Sequence, residues 1–183
     1  MRLILVRHPQ PLVAAGICYG RTDLAVADGP MAQTLAALSS SLPHGLALYS
    51  SPLQRCASLA AQLAPQLHSP DAAIDTRLAE IDFGAWEMRP WDDIPRIDID
   101  AWAADLVHYR PGGGESVLQM AERIAAFHAD IQRQQRDAII ICHAGAMRLL
   151  AACNTGLTPE EMALQAAQRP HQIGYGATLI LDR

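Results

Sequence analysis

A three-layer α/β/α fold built on a mostly parallel central sheet is what this sequence predicts, on three observations. Short apolar runs recur at "LILV" (3–6), "LALYS" (46–50), "AAIDT" (72–76), "AIIIC" (138–142) and "ATLIL" (177–181). Stretches of helical period lie between them. The first and fourth runs are apolar at every position, the pattern of a parallel strand covered by helices on both faces.

Taken in order, the first run ends in Arg7, His8 and Pro9. Proline fixes its own φ and pushes the residue before it into extended geometry, so His8 is aimed from the end of a strand. A helix is expected over 30–42. After the second run, "SSP" reads as an N-cap at Ser51 with Pro52 as first helical residue, opening a helix over 52–67 with Arg55 in its first turn. A cation there opposes the helix dipole by about 0.3–1 kcal/mol. Either an anion sits nearby or Arg55 is a solvated surface residue. The third run leads into Glu80 to Pro111, rich in Asp and Trp, expected as a flap over one end of the sheet with a helical piece within 91–108. A helix over 115–135, the fourth run, a helix over 144–155, a helical piece over 158–168 and the fifth run complete the chain. No repeat, low-complexity stretch or linker divides it, so residues 1–183 read as one domain.

Half of the 183 residues are hydrophobic, enough for a core without disulfides or a structural metal. The formal charge of −5 argues against a nucleic-acid or anionic-membrane partner, which needs a basic excess. Cys18, Cys56, Cys142 and Cys153 have neither CxxC spacing nor scaffold density, and are expected as reduced thiols of a cytoplasmic protein. Cys142 beside His143 reads as a buried structural thiol, because neighbouring strand residues face opposite ways. The start of the chain lacks a signal peptide's apolar stretch, and Arg148 interrupts the longest candidate for a membrane span.

In open α/β sheets, ligands bind outside the carboxyl ends of the strands. Here those ends carry Arg7-His8, then Ser50 to Arg55, then His143-Ala144-Gly145. His143 taken alone is more often a hydrogen-bonded structural residue. The other histidines, His44, His68, His108, His128 and His171, have no such context, and neither HxH nor HExxH spacing supports a metal. Two arginines and two histidines on one edge are a different proposition. Arginine's planar fork suits phosphate oxygens, and histidine can act as nucleophile or proton carrier near neutral pH. A phosphate ester is the natural substrate.

The residues then match a known family: the sequence resembles the histidine phosphatase superfamily, the phosphoglycerate-mutase-like branch 1 group. The match rests on "LVRH" (5–8), "YSSPLQRCASLAAQL" (49–63), "LAEIDFGAWE" (78–87), "GGESVLQMAERI" (113–124) and "IICHAGAMRLLAA" (140–152), in the family's order. The segments "GICYGRTDL" (16–24) and "FGAWEMR" (83–89) look most like α-ribazole-5′-phosphate phosphatases of cobalamin assembly.

The resemblance implies a phosphoglycerate-mutase-like fold and a metal-independent, cofactor-free phosphomonoesterase. His8 is the implied nucleophile forming a phosphohistidine. Arg7, Arg55 and His143 are implied to hold the phosphoryl oxygens, and Glu80 to be the general acid, with Asp82 and Glu87 as competitors. The sequence departs from the family at Pro9, Pro11 and Ala14, where a glycine, a small hydroxyl residue and an asparagine are usual. Backbone N–H groups near Gly20 and the side chain of Arg21 or Thr22 are the expected replacements. A phosphoglycerate mutase is the enzymatic alternative, although the interval that mutases lengthen is short and acidic here. A catalytically inactive phosphate-ester-binding module is the alternative of another class. The expected partner is a small phosphate ester, and a homo-oligomer is compatible with the sequence.

Overall fold

The computed structural model describes residues 1–168 and 172–182, so His171 lies outside the described residues. Five strands form one sheet: β1 (Arg2–Arg7), β2 (Ala47–Ser50), β3 (Ala73–Ile74), β4 (Ala138–Cys142) and β5 (Thr178–Asp182). Their spatial order is β3-β2-β4-β1-β5, parallel throughout except for β5, which runs antiparallel to β1. The helices are α1 (Asp28–Ser41), α2 (Gln54–Gln66), α3 (Arg96–Ala104), α4 (Val117–Gln134), α5 (Ala144–Cys153) and α6 (Pro159–Gln168).

The all-apolar runs of β1 and β4 follow from their central position. Ile4, Val6, Ile139 and Ile141 project to one face, where they meet Met31 and Leu38 of α1 and Leu59 and Leu63 of α2. Leu3, Leu5 and Ile140 project to the other, against Ile124 and Phe127 of α4 and Met147 and Leu150 of α5. Each fully buried aliphatic side chain contributes about 1.5–3 kcal/mol by leaving water, so polar substitution on either face is unfavourable. The result is the expected three-layer sandwich. Cys142 belongs to the second core, as a structural thiol.

One local expectation is corrected. Helix α2 starts at Gln54 with Leu53 in the cap position, not at Pro52 with Ser51 as cap. The Ser51 hydroxyl accepts from the Leu53 N–H at 3.3 Å and also bonds His143 across the sheet at 2.8 Å, so it closes a turn ahead of the helix. Arg55 is still in the first turn.

The stretch after β3 leaves the sheet and closes over its carboxyl edge, with 3₁₀ turns at Gly84–Trp86 and Trp91–Asp93 and the short α3. Its own small core joins Trp86 and Ile94 to Cys18 of the β1–α1 loop, with Phe83 and Trp102 packed alongside. A capping box ends the excursion: the Ser116 hydroxyl accepts from the Gln119 N–H and the Gln119 side chain accepts from the Ser116 N–H. Among the described residues no helix is long and apolar enough to cross a membrane.

Candidate active site

The parallel register sets the carboxyl ends of β1, β4 and β2 side by side. His8 extends the ladder by donating its N–H to the Cys142 carbonyl at 3.1 Å, and Ser51 does the same to Ile141 at 3.0 Å. The buried His8 places Nδ1 2.6 Å from the carbonyl oxygen of Pro9. A carbonyl can only accept, so Nδ1 carries the proton and Nε2 carries the lone pair. Burial pushes the His8 pKa down to about 3, with Arg55 and Arg7 adding to the shift and the Pro9 hydrogen bond opposing it. Near pH 7 the ring is a neutral imidazole with its nucleophilic nitrogen fixed. The proline after the histidine therefore serves twice, by its stiffness and by its carbonyl.

Arg55 is fully buried, which rules out a solvated surface residue. Its Nη1 and Nη2 donate to the carbonyls of Thr22 and Gly20, each at 2.7 Å. Arg7 donates from Nη1 to the Ile173 carbonyl, and its guanidinium lies 4.0 Å from the ring centre of Tyr175. The buried Nε atoms of both arginines have no hydrogen-bond partner among the described residues. Leaving a buried donor unpaired costs about 1–3 kcal/mol, more when charged, and an anion between the two would offset that cost. Tyr19 and Tyr175 join hydroxyls at 2.9 Å, tying the two loops that flank His8. Burial and that bond push the Tyr19 pKa up to about 12, so it stays neutral.

Glu80 lines the same cavity. Its carboxylate accepts from the N–H of Ile81 at 3.0 Å and from the N–H of Gly145 at 3.1 Å, the latter at the start of α5. A β-carbon on residue 145 would stand 2.3 Å from Glu80 Oε1, so glycine is what lets the carboxylate approach. The competing carboxylates are occupied elsewhere. Asp82 accepts from Gly84 at 2.7 Å, and Glu87 takes backbone N–H groups of Arg21, Thr22 and Phe83. Neither lines the cavity.

His143 is fully buried behind the cavity lining, its ring centre 5.0 Å from that of His8. Burial holds it neutral, reinforced by His8 and Arg55. Of the three residues expected to replace the missing donors, only Gly20 lines the cavity; the Arg21 and Thr22 amides are bound to Glu87, and Arg21 is exposed. Sequence reasoning missed Tyr19, Tyr175 and Arg148. Arg148 does carry a positional signal, because its spacing from Ala144 and Gly145 puts the three on one face of α5, and all three line the cavity.

The cavity holds about 370 Å³ and its lining is of two kinds. Arg7, His8, Arg55, Glu80 and Arg148 make the charged or titratable one. Phe83, Trp91, Trp102, Val117, Met120 and Leu149 make most of the other. Trp91 and Trp102 lie nearly parallel, 6.2 Å apart, with Phe83 edge-on to both. The buried Nε1 of Trp102 has no hydrogen-bond partner among the described residues.

Comparison with known proteins identifies the family. The family model of the histidine phosphatase superfamily (branch 1) matches residues 3–172. The adenosylcobalamin/alpha-ribazole phosphatase of Escherichia coli K12 is 29% identical over 182 residues, covering 88% of this chain and 83% of that protein. The crystal structure of the alpha-ribazole phosphatase from Shigella flexneri superposes with a TM-score of 0.81 at 27% identity, over 100% of this chain and 90% of that one. A mycobacterial glucosyl-3-phosphoglycerate phosphatase superposes with a TM-score of 0.73 at 25% identity, covering 89% and 83%. On the matched residues and the shared fold, the chain belongs to the histidine phosphatase superfamily (branch 1) and is a phosphatase.

Proposed function

We propose that this protein is a phosphomonoesterase that works through a phosphohistidine on His8 Nε2. The observation that carries the reading is the 2.6 Å contact between His8 Nδ1 and the Pro9 carbonyl, which leaves Nε2 as the ring's one lone pair. The Nε2–P bond forms as the bond from phosphorus to the ester oxygen breaks. Arg7 and Arg55 offset charge on the phosphoryl oxygens, with the neutral His143 ring packed behind His8, while the Glu80 carboxyl passes its proton to the departing oxygen. Water then attacks phosphorus, Glu80 takes a proton from that water, and the P–N bond breaks to release inorganic phosphate and neutral His8.

Within that class, the reading extends to a phosphate ester with an apolar, aromatic-bearing alcohol of the α-ribazole 5′-phosphate kind. The aromatic wall of Phe83, Trp91 and Trp102 supports it, as do the names of the Escherichia and Shigella relatives. The interval that mutases lengthen is short and acidic here, which weighs against a mutase, although Arg148 on the cavity lining is a further cation that a second anion would meet. A cytoplasmic setting is part of the reading, supported by four buried cysteines, none of them in a disulfide among the described residues. The test is kcat/KM for α-ribazole 5′-phosphate, 3-phosphoglycerate, glucosyl-3-phosphoglycerate and p-nitrophenyl phosphate. The ribazole ester is expected to lead. Preference for either glycerate ester would overturn the substrate assignment, and no turnover of any would overturn the enzyme.

A further inference from the structure

Glu87 lies outside the cavity, yet its carboxylate gathers four donors from two separate segments. Oε1 accepts from the N–H of Arg21 at 2.8 Å and of Phe83 at 2.9 Å. Oε2 accepts from the N–H of Thr22 at 2.5 Å and from the Thr22 hydroxyl. On the other side of the same loop, Arg55 donates to the carbonyls of Gly20 and Thr22. The Gly20 carbonyl and the Arg21 N–H belong to one peptide unit, and no peptide bond among the described residues is cis. In a trans peptide those two groups point in opposite directions. A single peptide plane is therefore held with its N–H on the Glu87 carboxylate and its carbonyl on the Arg55 guanidinium.

From this juxtaposition we infer that Glu87 is a positioning residue for Arg55, acting through the Gly20–Arg21 peptide; the inference rests on the phosphate-holding role proposed for Arg55. Hydrogen bonds in series polarise one another, so a carboxylate on the N–H end strengthens the carbonyl as acceptor for a buried cation. The loop has no slack. A β-carbon on residue 20 would stand 2.5 Å from the Ile81 carbonyl oxygen and 2.7 Å from Glu87 Oε1, so the peptide is pressed against its carboxylate anchor. The arrangement also explains how Arg55 can be fully buried without occupying its fork on an acid. A carboxylate placed directly on the guanidinium would compete with a phosphate for the same N–H groups. Set one peptide away, the negative charge steadies the arginine and leaves its Nε, which has no partner among the described residues, for an anion. It also gives the Thr22 hydroxyl and the Arg21 and Thr22 amides a task other than contacting substrate.

The experiment is a double-mutant cycle read in vanadate affinity, by calorimetry, on the full chain. Its members are wild type, Glu87→Gln, Arg55→Lys and the double variant. Glutamine turns an amide NH₂ toward N–H donors, and lysine keeps the charge while giving up the fork. Glu87→Gln alone is expected to weaken vanadate about 10-fold, the scale of one charge-assisted hydrogen bond. In the Arg55→Lys background it is expected to add less than about 2-fold, because contacts that act through one another are not additive. Thr22→Val, which removes one hydroxyl donor and keeps both amides, is the milder variant should Glu87→Gln fail to fold, and its smaller loss should vanish in the same background. Losses that multiply independently would overturn the relay. Unchanged vanadate affinity in Arg55→Lys would instead overturn the role given to Arg55, so the two failures are distinguishable.

Discussion

Lowering the pH from 7 to 5 is expected to destabilise the folded chain by about 2 kcal/mol through His8 alone. His8 titrates near 3 in the folded protein against an ordinary 6.5, chiefly because it is buried, and secondarily because Arg55 is close. Between those values the unfolded chain binds a proton that the folded chain refuses. Stability therefore falls as pH falls through 6.5 and goes on falling until about 3, the sign required when the unfolded state holds more protons. At pH 5 the unfolded histidine lies about 1.5 pH units below its pKa, and each unit is worth about 1.4 kcal/mol. His143, also held neutral by burial, acts in the same direction. The assay is urea unfolding at pH 7 and pH 5 in phosphate-free buffer, for wild type and His8→Asn. The asparagine amide can donate to the Pro9 carbonyl in place of Nδ1 but cannot titrate. Wild type should lose about 2 kcal/mol more than the variant over this interval. An identical loss in both would refute the claim that His8 is held neutral by its surroundings.

Glu80→Gln should slow phosphohistidine formation from an alkyl ester by about 10²–10⁴ and from p-nitrophenyl phosphate far less, since p-nitrophenolate leaves without a proton; equal loss on both would make Glu80 structural. Gly145→Ala should reproduce that leaving-group dependence at about 10²-fold, the effect of a misplaced catalytic group, with the melting temperature nearly unchanged because only the end of a side chain must move. His143→Ala should retain weak turnover, down about 10²-fold in kcat, the effect of loosening the nucleophile when the ring packed 5.0 Å behind it is removed.

What could be read from the sequence divides along local and non-local lines. Strands β1 and β4 were legible because burial on both faces writes an unbroken apolar run. Strand β3, expected over 72–76, shrinks to Ala73–Ile74 because it sits at the sheet edge beside β2 alone. The direction of β5 had no local signal, since an edge strand of alternating exposure reads the same in either sense. Arg7, His8 and Arg55 are legible because parallel strands bring their carboxyl ends together, whereas Glu80 has only the family pattern to mark it; all four line one cavity. The Ser51 hydroxyl, the Thr22 hydroxyl and the Arg21 and Thr22 amides lie elsewhere than expected for one reason. These groups are claimed by partners remote in sequence, His143 for the serine and Glu87 for the loop amides, and no local pattern announces a remote acceptor. Tyr19 and Tyr175 were missed on the same ground, because what defines them is each other and the two arginines beneath them.

The central claim is that phosphorus is transferred to His8 Nε2. It is tested most directly by rapid acid-free quenching of the wild-type chain during turnover of a phosphate ester, followed by mass spectrometry of its peptides. A base-stable, acid-labile phosphate on the peptide carrying His8, absent from His8→Ala together with all turnover, is the predicted result. Phosphate on another residue, or full activity in His8→Ala, would contradict the account.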